Sequence, residues 1–163
     1  MSASRENQFR ALANSALGPV ASYVRRRLFP LTEADLDDVI SETLSVAWRR
    51  FDAVPDADVA WMIGVARNVL RNQQRARRRR DAAESRVRPS DVSSSAEDVV
   101  VADDAVRRAL ARLSEGDREV LLLSAWDGLS TDEIARALSL SRDTAAVRLS
   151  RATSRFRELL TVS

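Results

Sequence analysis

Apolar residues in this chain recur every three or four positions rather than every second one, a period that predicts helices throughout. Phe9, Leu12, Ala13, Ala16, Leu17, Val20, Val24 and Leu28 make the first stripe. Gly18-Pro19 is expected to kink or break it, because proline lacks the N–H that an interior helical position supplies. A second helix is predicted after Thr32, which with Asp35 resembles a capping box that has Asp in place of Glu. Its stripe is Leu36, Val39, Ile40, Thr43, Leu44, Ala47, Trp48 and Phe51. Residues 52–58, with Pro55 and three aspartates, read as a loop. A third helix follows from about Val59, burying Met62, Ile63, Ala66, Val69 and Leu70 and running into the arginines of 77–80.

The period lapses over 81–103. Pro89 and the run Ser90-Asp91-Val92-Ser93-Ser94-Ser95 predict a linker, and Val99-Val100-Val101 is expected to dock on a neighbouring helix, being too short to found a sheet. Helical spacing then returns with Val106, Ala109, Leu110 and Leu113, and Ser114 is placed to cap a helix centred on 120–123. Over 129–156, Ser130 and Glu133 form a capping box, with Ile134, Ala135 and Leu138 facing inward. A turn at Ser139-Leu140 leads to Ser141, which caps a longer helix with the stripe Ala145, Leu149, Ala152 and Phe156. Two helices joined in this way make a helix-turn-helix. The expected fold class is all-α with two small domains: an N-terminal helical bundle over 1–80, and a C-terminal four-helix domain with the helix-turn-helix over 104–163. A flexible linker over 81–103 joins them.

Composition narrows the chemistry. The 163 residues include no cysteine and no histidine, which excludes disulfides, thiolate and imidazole metal sites, and a histidine base. Neither a phosphate-binding glycine loop nor a dinucleotide fingerprint occurs. Carboxylates alone could hold Mg²⁺, but none cluster without nearby arginines. The expectation is a non-enzyme with no catalytic residue, no metal and no cofactor. There is no apolar run of the ~18 residues needed to span a bilayer and no signal-like segment near Met1, so a cytoplasmic protein without membrane insertion is expected.

Net charge is only +2, and its distribution says more than its sum. Residues 1–60 carry −2, residues 61–80 carry +7 with no acid among them, residues 81–106 carry −5, and residues 107–163 carry +2. Two basic stretches thus lie on either side of an acidic connector, which suits two separate contacts with a polyanion. All 26 basic residues are arginine, which favours bidentate contacts to phosphate or guanine. A GC-rich genome produces the same bias and accounts for the larger share of it.

Helix faces locate the candidates. In a helix-turn-helix the second helix enters the major groove. Opposite its buried stripe lie Asp143, Val147, Ser150, Arg151 and Ser154, flanked by Arg148 and Arg155, which suit phosphates. Arg151 is the base-reading candidate, because a guanidinium can bond O6 and N7 of guanine together. A helical hairpin with a solvated basic face is the alternative, but caps, turn and stripe agree on DNA binding. On the third helix, Trp61, Gly64, Asn68, Arg71 and Arg75 are expected to face away from the core, with Arg78 further along the arginine-rich end. Aromatic, amide and cation together suit unpaired nucleic acid. That reading stands level with one in which Trp61 completes the core and the arginines confer solubility. The second helix turns Asp35, Asp38, Ser41, Glu42, Ser45 and Arg49 outward, an acidic face that repels DNA and suits a protein partner, or is simply solvated.

These segments, in this order, resemble the extracytoplasmic-function group of the sigma-70 family. Asp35-Leu36-Asp37-Asp38-Val39-Ile40-Ser41-Glu42-Thr43 with Ala47-Trp48 is similar to the family's DxxDLVQETFxxAW segment. Trp61-Met62-Ile63-Gly64-Val65-Ala66-Arg67-Asn68 is similar to WLxxIARN, and 113–123 to LPxxxREVLLL. Leu129-Ser130-Thr131-Asp132-Glu133-Ile134-Ala135 with 141–152 resembles LSxxEIA…SxxTVxSRLxRA. The likeness covers about 8–80 and 105–160. Ser41 departs from the usual Gln, Ser139 from the usual turn Gly, and Ala145, Ala146 and Val147 from the usual Val, polar residue and Ser.

The resemblance implies an alternative sigma factor that engages core RNA polymerase, at its β′ clamp helices and β flap, and promoter DNA, with an anti-sigma factor as a further partner. It assigns core binding to the acidic face of the second helix. It assigns −10 melting and reading to the third helix, with an unstacked base held in the loop 51–60. It assigns −35 reading to the last helix, and to the acidic linker a path near the RNA exit channel. A plain helix-turn-helix regulator, which would leave the acidic second helix and the Trp61 face unexplained, and an adaptor protein are the rival readings.

Limited proteolysis checks the domain boundaries. Cleavage of the native chain should fall first within 81–103 and release two folded fragments, because few apolar side chains tie that stretch down. A chain that resists cleavage there would argue instead for one compact domain, or for two domains docked together.

Overall fold

The computed structural model describes residues 2–85 and 103–162. Among them are seven α-helices, α1 Ser2–Arg26, α2 Leu36–Arg50, α3 Val59–Ser85, α4 Asp104–Ala111, α5 Glu115–Ala125, α6 Thr131–Leu138 and α7 Arg142–Thr161, and no strand. Short 3₁₀ turns at Glu33–Asp35 and Phe51–Ala53 flank α2. The backbone divides into two compact units, Met1–Arg80 and Asp81–Ser163. Pro89, the serine run of 90–95 and Val99-Val100-Val101 lie outside the described residues. The linker expected from residue 81 begins later than that, since α3 continues through Ser85, and Asp103 is already the N-cap of α4, accepting the Ala105 N–H at 2.8 Å.

In the first unit α1 packs along α2, and the core takes Val20, Tyr23 and Val24 from α1, Val39 and Ala47 from α2, and Met62, Ile63, Ala66 and Leu70 from α3. Gly18-Pro19 does not break α1, which runs unbroken with Pro19 inside it. Both residues are exposed, so water can satisfy the carbonyl that proline leaves without a donor. Thr43 is fully buried, and its hydroxyl donates to the Val39 carbonyl at 2.7 Å.

An aromatic cluster fastens the start of α1 to the end of α2. Phe9 meets Trp48 edge-on at 5.2 Å and Phe51 at 5.3 Å. Arg5 lies 3.6 Å over the Trp48 ring, donates to the Trp48 carbonyl at 2.9 Å and pairs with Asp52 at 2.6 Å. The other end of α1 is tied to α3 by buried Gln74, whose amide donates to the carbonyls of Arg27 at 2.6 Å and Phe29 at 2.8 Å. Those carbonyls lie just past the helix end, where backbone acceptors have no helical donor.

In the second unit α7 packs on α4, α5 and α6. Ala109, Leu110, Leu113, Leu122 and Leu159 form one buried cluster, covered by Val106, Leu121, Trp126 and Phe156. Arg118, only 8% exposed, points its guanidinium at the C-terminal end of α4, donating to the Leu110 carbonyl at 2.9 Å and the Leu113 carbonyl at 3.1 Å. A buried charge is tolerable there because it meets the negative end of the helix dipole.

The capping box before α2 is formed. Asp35 accepts from the Thr32 backbone N–H at 2.7 Å and from its hydroxyl at 3.0 Å, and pairs with Arg77 at 3.3 Å. The Thr32 hydrogen bonds, and after them Arg77, hold the Asp35 carboxyl below its ordinary 3.8. A depressed carboxyl adds stability that is fully present above its ordinary value and is lost as pH falls through the depressed one. Asp35→Ala is therefore expected to cost about 1 kcal/mol at neutral pH. The difference from the parent should shrink on acidification below pH 4, as read by urea melts across that range. A gap that stays constant with pH would show that the cap contributes nothing through its charge.

Candidate nucleic-acid interface

Local hydrogen bonding sets the turn between α6 and α7. Ser130 accepts the Glu133 N–H at 3.2 Å, and the Glu133 carboxylate reaches back to the Ser130 N–H at 3.5 Å. At the far end of α6, Ser139 adopts a left-handed backbone, φ 54°, which sends its N–H to the Arg136 carbonyl at 3.4 Å and the Leu140 N–H to the Ala135 carbonyl at 2.9 Å. This is the Schellman closure that glycine most often provides. Two residues on, the Ser141 hydroxyl accepts the Thr144 N–H at 3.1 Å and opens α7. Ile134 and Ala145 are fully buried where the two helices meet. An exposed ion pair, Arg142 to Asp132 at 2.8 Å, bridges them at the surface.

The exposed face of α7 matches the expected one. Asp143, Val147, Ser150, Arg151, Ser154 and Arg155 are exposed and Arg148 is half-buried, while Ala145 and Ala152 on the opposite side are fully buried. Asp143, Thr144, Val147, Arg148 and Arg151 line a shallow depression at the start of the helix. Arg148 lies toward α5, where a β-carbon on Gly116 would come within 3.5 Å of its guanidinium. Arg155 pairs with Glu158 at 3.3 Å, one turn along.

The first unit departs further from expectation. Every residue from Met62 to Ala66 is buried, so Gly64 does not share the outer face assigned to it. The start of α3 is apolar all round, and such a helix sinks into the core instead of lying on it. Trp61 is half-buried, with its backbone N–H held by the Asp58 carboxylate at 2.9 Å, and thus belongs partly to the core. Asn68 and Arg75 are exposed, and Arg71 and Arg78 half-buried, so the open face begins at Asn68. On α2, Asp38, Ser41, Glu42, Ser45 and Arg49 are all exposed. Asp35 is not free on that face, being taken up by Thr32 and Arg77, and Glu42 accepts from Gln73 of α3 at 2.6 Å. Arg77, half-buried, is thereby paired within the first unit. The structural roles of Arg5, Gln74 and Arg118 were not visible in the periodicity, because each partner lies on another element.

A helix-turn-helix with an arginine-bearing outer face, in one chain with a helical unit that carries an acidic and a basic helix, defines a DNA-binding transcription protein. The family described as "Sigma-70, region 4" matches residues 103–155. The chain is 32% identical over 127 residues to the ECF RNA polymerase sigma factor SigL of Mycobacterium tuberculosis, covering 71% of this chain and 69% of that one. It is 32% identical over 151 residues to the RNA polymerase sigma factor CnrH of Cupriavidus metallidurans, covering 82% and 78%. The solved structure of CnrH in complex with the cytosolic domain of CnrY superposes with a TM-score of 0.61 at 28% identity, covering 97% of this chain and 90% of that one. The sigma factor RpoE of Bartonella quintana, solved with the anti-sigma factor NepR, shares the fold with a TM-score of 0.54 at 22% identity, covering 97% of both chains. The chain belongs to the ECF group of RNA polymerase sigma factors within the sigma-70 family. No helix among the described residues is long and apolar enough to cross a membrane.

Ser139 provides a test of the turn. A side chain in the left-handed region costs roughly 1 kcal/mol that glycine avoids. Ser139→Gly should raise the stability of the second unit by about that amount, measured by thermal melting of the full chain. An unchanged or lower midpoint would show that Ser139 is held there without strain.

Proposed function

We propose that the two helical units of this sigma factor divide a promoter between them while the first also holds the polymerase. The observation that carries this reading is the pairing, in one chain of this family, of an exposed arginine-bearing α7 with a unit whose α2 and α3 present surfaces of opposite sign. The exposed acids Asp38 and Glu42, with Ser41, Ser45 and Arg49, hold the β′ clamp helices. Asp35 acts behind them by fixing the start of α2. Asn68, Arg71, Arg75 and Arg78, with the accessible part of Trp61, follow the −10 strand, and the loop before α3 takes an unstacked base. Arg151 reads a guanine of the −35 element with Asp143, Val147, Ser150 and Ser154 beside it, and Arg148 and Arg155 meet phosphates. Nothing in this scheme requires covalent chemistry: the protein is a non-enzymatic cytoplasmic subunit that works through binding energy. An anti-sigma factor is a further partner: CnrH was solved with the cytosolic domain of CnrY, and the RpoE of Bartonella quintana, which shares the fold, with the anti-sigma factor NepR.

Transcription by purified core polymerase from a pool of genomic fragments tests the whole. Asp38→Arg and Glu42→Arg should abolish capture of core while leaving helical content unchanged. Arg151→Ala should cost ~1–3 kcal/mol and relax preference at one or two −35 positions. Arg75→Ala should weaken binding about equally across sequences and lower the salt slope by roughly one unit. Asn68→Ala should impair permanganate-detected opening on matched promoters and be rescued on pre-melted ones. Core capture that survives both α2 variants would favour a plain duplex-binding regulator.

A further inference from the structure

A lone exposed aliphatic residue is ordinary on a protein surface, but Val147 is exposed at a place where exposure carries information. It is 57% exposed in the second turn of α7, while Ala145 and Ala152 on the inner side are fully buried. On either side of it, one helical turn away along the same face, stand Asp143 and Arg151, and all three line one depression. Valine is a poor choice for an exposed helical position. Its branched side chain loses rotamer freedom against the preceding turn, and its methyl groups gain nothing from water. The same stiffness makes it a fixed apolar surface.

Among the groups presented in the major groove, the 5-methyl of thymine is the apolar one. Val147 also lacks any hydrogen-bonding atom in its side chain, so it cannot read the amino and carbonyl groups of the other bases. We infer that Val147 is a specificity-determining residue that packs against a thymine methyl group in the −35 duplex, next to the guanine read by Arg151. The inference rests on the −35 role proposed for α7 and narrows it to one base. Four residues of helix advance about 6 Å, against 3.4 Å for each base-pair step, so the thymine lies within about two base pairs of that guanine. Asp143, a further turn back, disfavours a guanine at its own position, since both major-groove acceptors of guanine would face a carboxylate.

Uracil in place of thymine removes the methyl group and nothing else. Full-length protein with core polymerase is used to select duplexes from a pool randomised across the −35 region. Each thymine of the selected sequence is then replaced singly by deoxyuridine. For the parent, one thymine within two base pairs of the Arg151-dependent guanine should lose about fourfold in affinity, the effect of removing one methyl group from an apolar contact. Val147→Ala, with one shorter methyl in place of two, should narrow the difference between thymine and uracil duplexes, and Val147→Ile should keep it. The exposed position makes both variants safe for folding. Indifference to uracil at every thymine, or a Val147→Ala variant that keeps the parent's discrimination, overturns the inference while leaving the Arg151 contact standing. If the pool yields no preferred sequence, or a guanine preference that survives Arg151→Ala, the reading of α7 fails and the inference goes with it.

Discussion

Helix ends set a hydrogen-bonding demand that recurs through both units of this chain. Each end leaves four backbone donors or acceptors without helical partners, and α4 and α6 are only eight residues long. Side chains meet that demand in both units. Asp58, Asp103, Ser114, Ser130 and Ser141 accept from the first turns of the helices that follow them. At C-terminal ends the guanidinium of Arg118 and the amide of Gln74 supply donors from other helices. These two differ in kind from the N-caps, because each joins a helix end to a distant element and so makes packing and hydrogen bonding a single requirement.

That difference explains what the sequence disclosed and what it did not. An N-cap is a local event, with an oxygen three residues ahead of the N–H it meets, so Thr32, Ser114, Ser130 and Ser141 could be recognised from spacing alone. The stripe of α7 and the turn at Ser139-Leu140 were legible for the same reason, whereas the left-handed backbone of Ser139 was not. Gln74 and Arg118 gave no such sign, since a glutamine or arginine inside a polar helix looks like a solvated one until its partner is known. The burial of Gly64 was hidden differently. Periodicity assumes one buried face, and the first turns of α3 are buried all round. Gly18-Pro19 does not break α1 because both residues lie on its exposed side, where water can meet the freed carbonyl.

Arginine usage follows the same division. A count of charge along 61–80 treats its seven arginines as one basic surface, yet Arg77 neutralises the cap of α2. Elsewhere Arg5 and Arg118 spend their guanidinium groups on carbonyls, a carboxylate and a ring inside the fold. Such contacts use the planar fork of arginine much as a phosphate or guanine would. The proposed DNA contacts therefore draw on fewer cations than the composition suggests.

Asp143 carries a consequence for the time before a promoter is found. Its exposed carboxylate stands among the arginines of α7, in the depression at the start of that helix. On arbitrary DNA it meets phosphates and base acceptors that repel it, so it subtracts from the sequence-independent attraction on which sliding and trapping depend. On the same helix, Arg142 and Arg155 are each held by an acid of their own chain, and would give up that partner to contact a phosphate. If α7 contacts DNA as proposed, both features shorten residence on the wrong sequence and so speed the search for the right one.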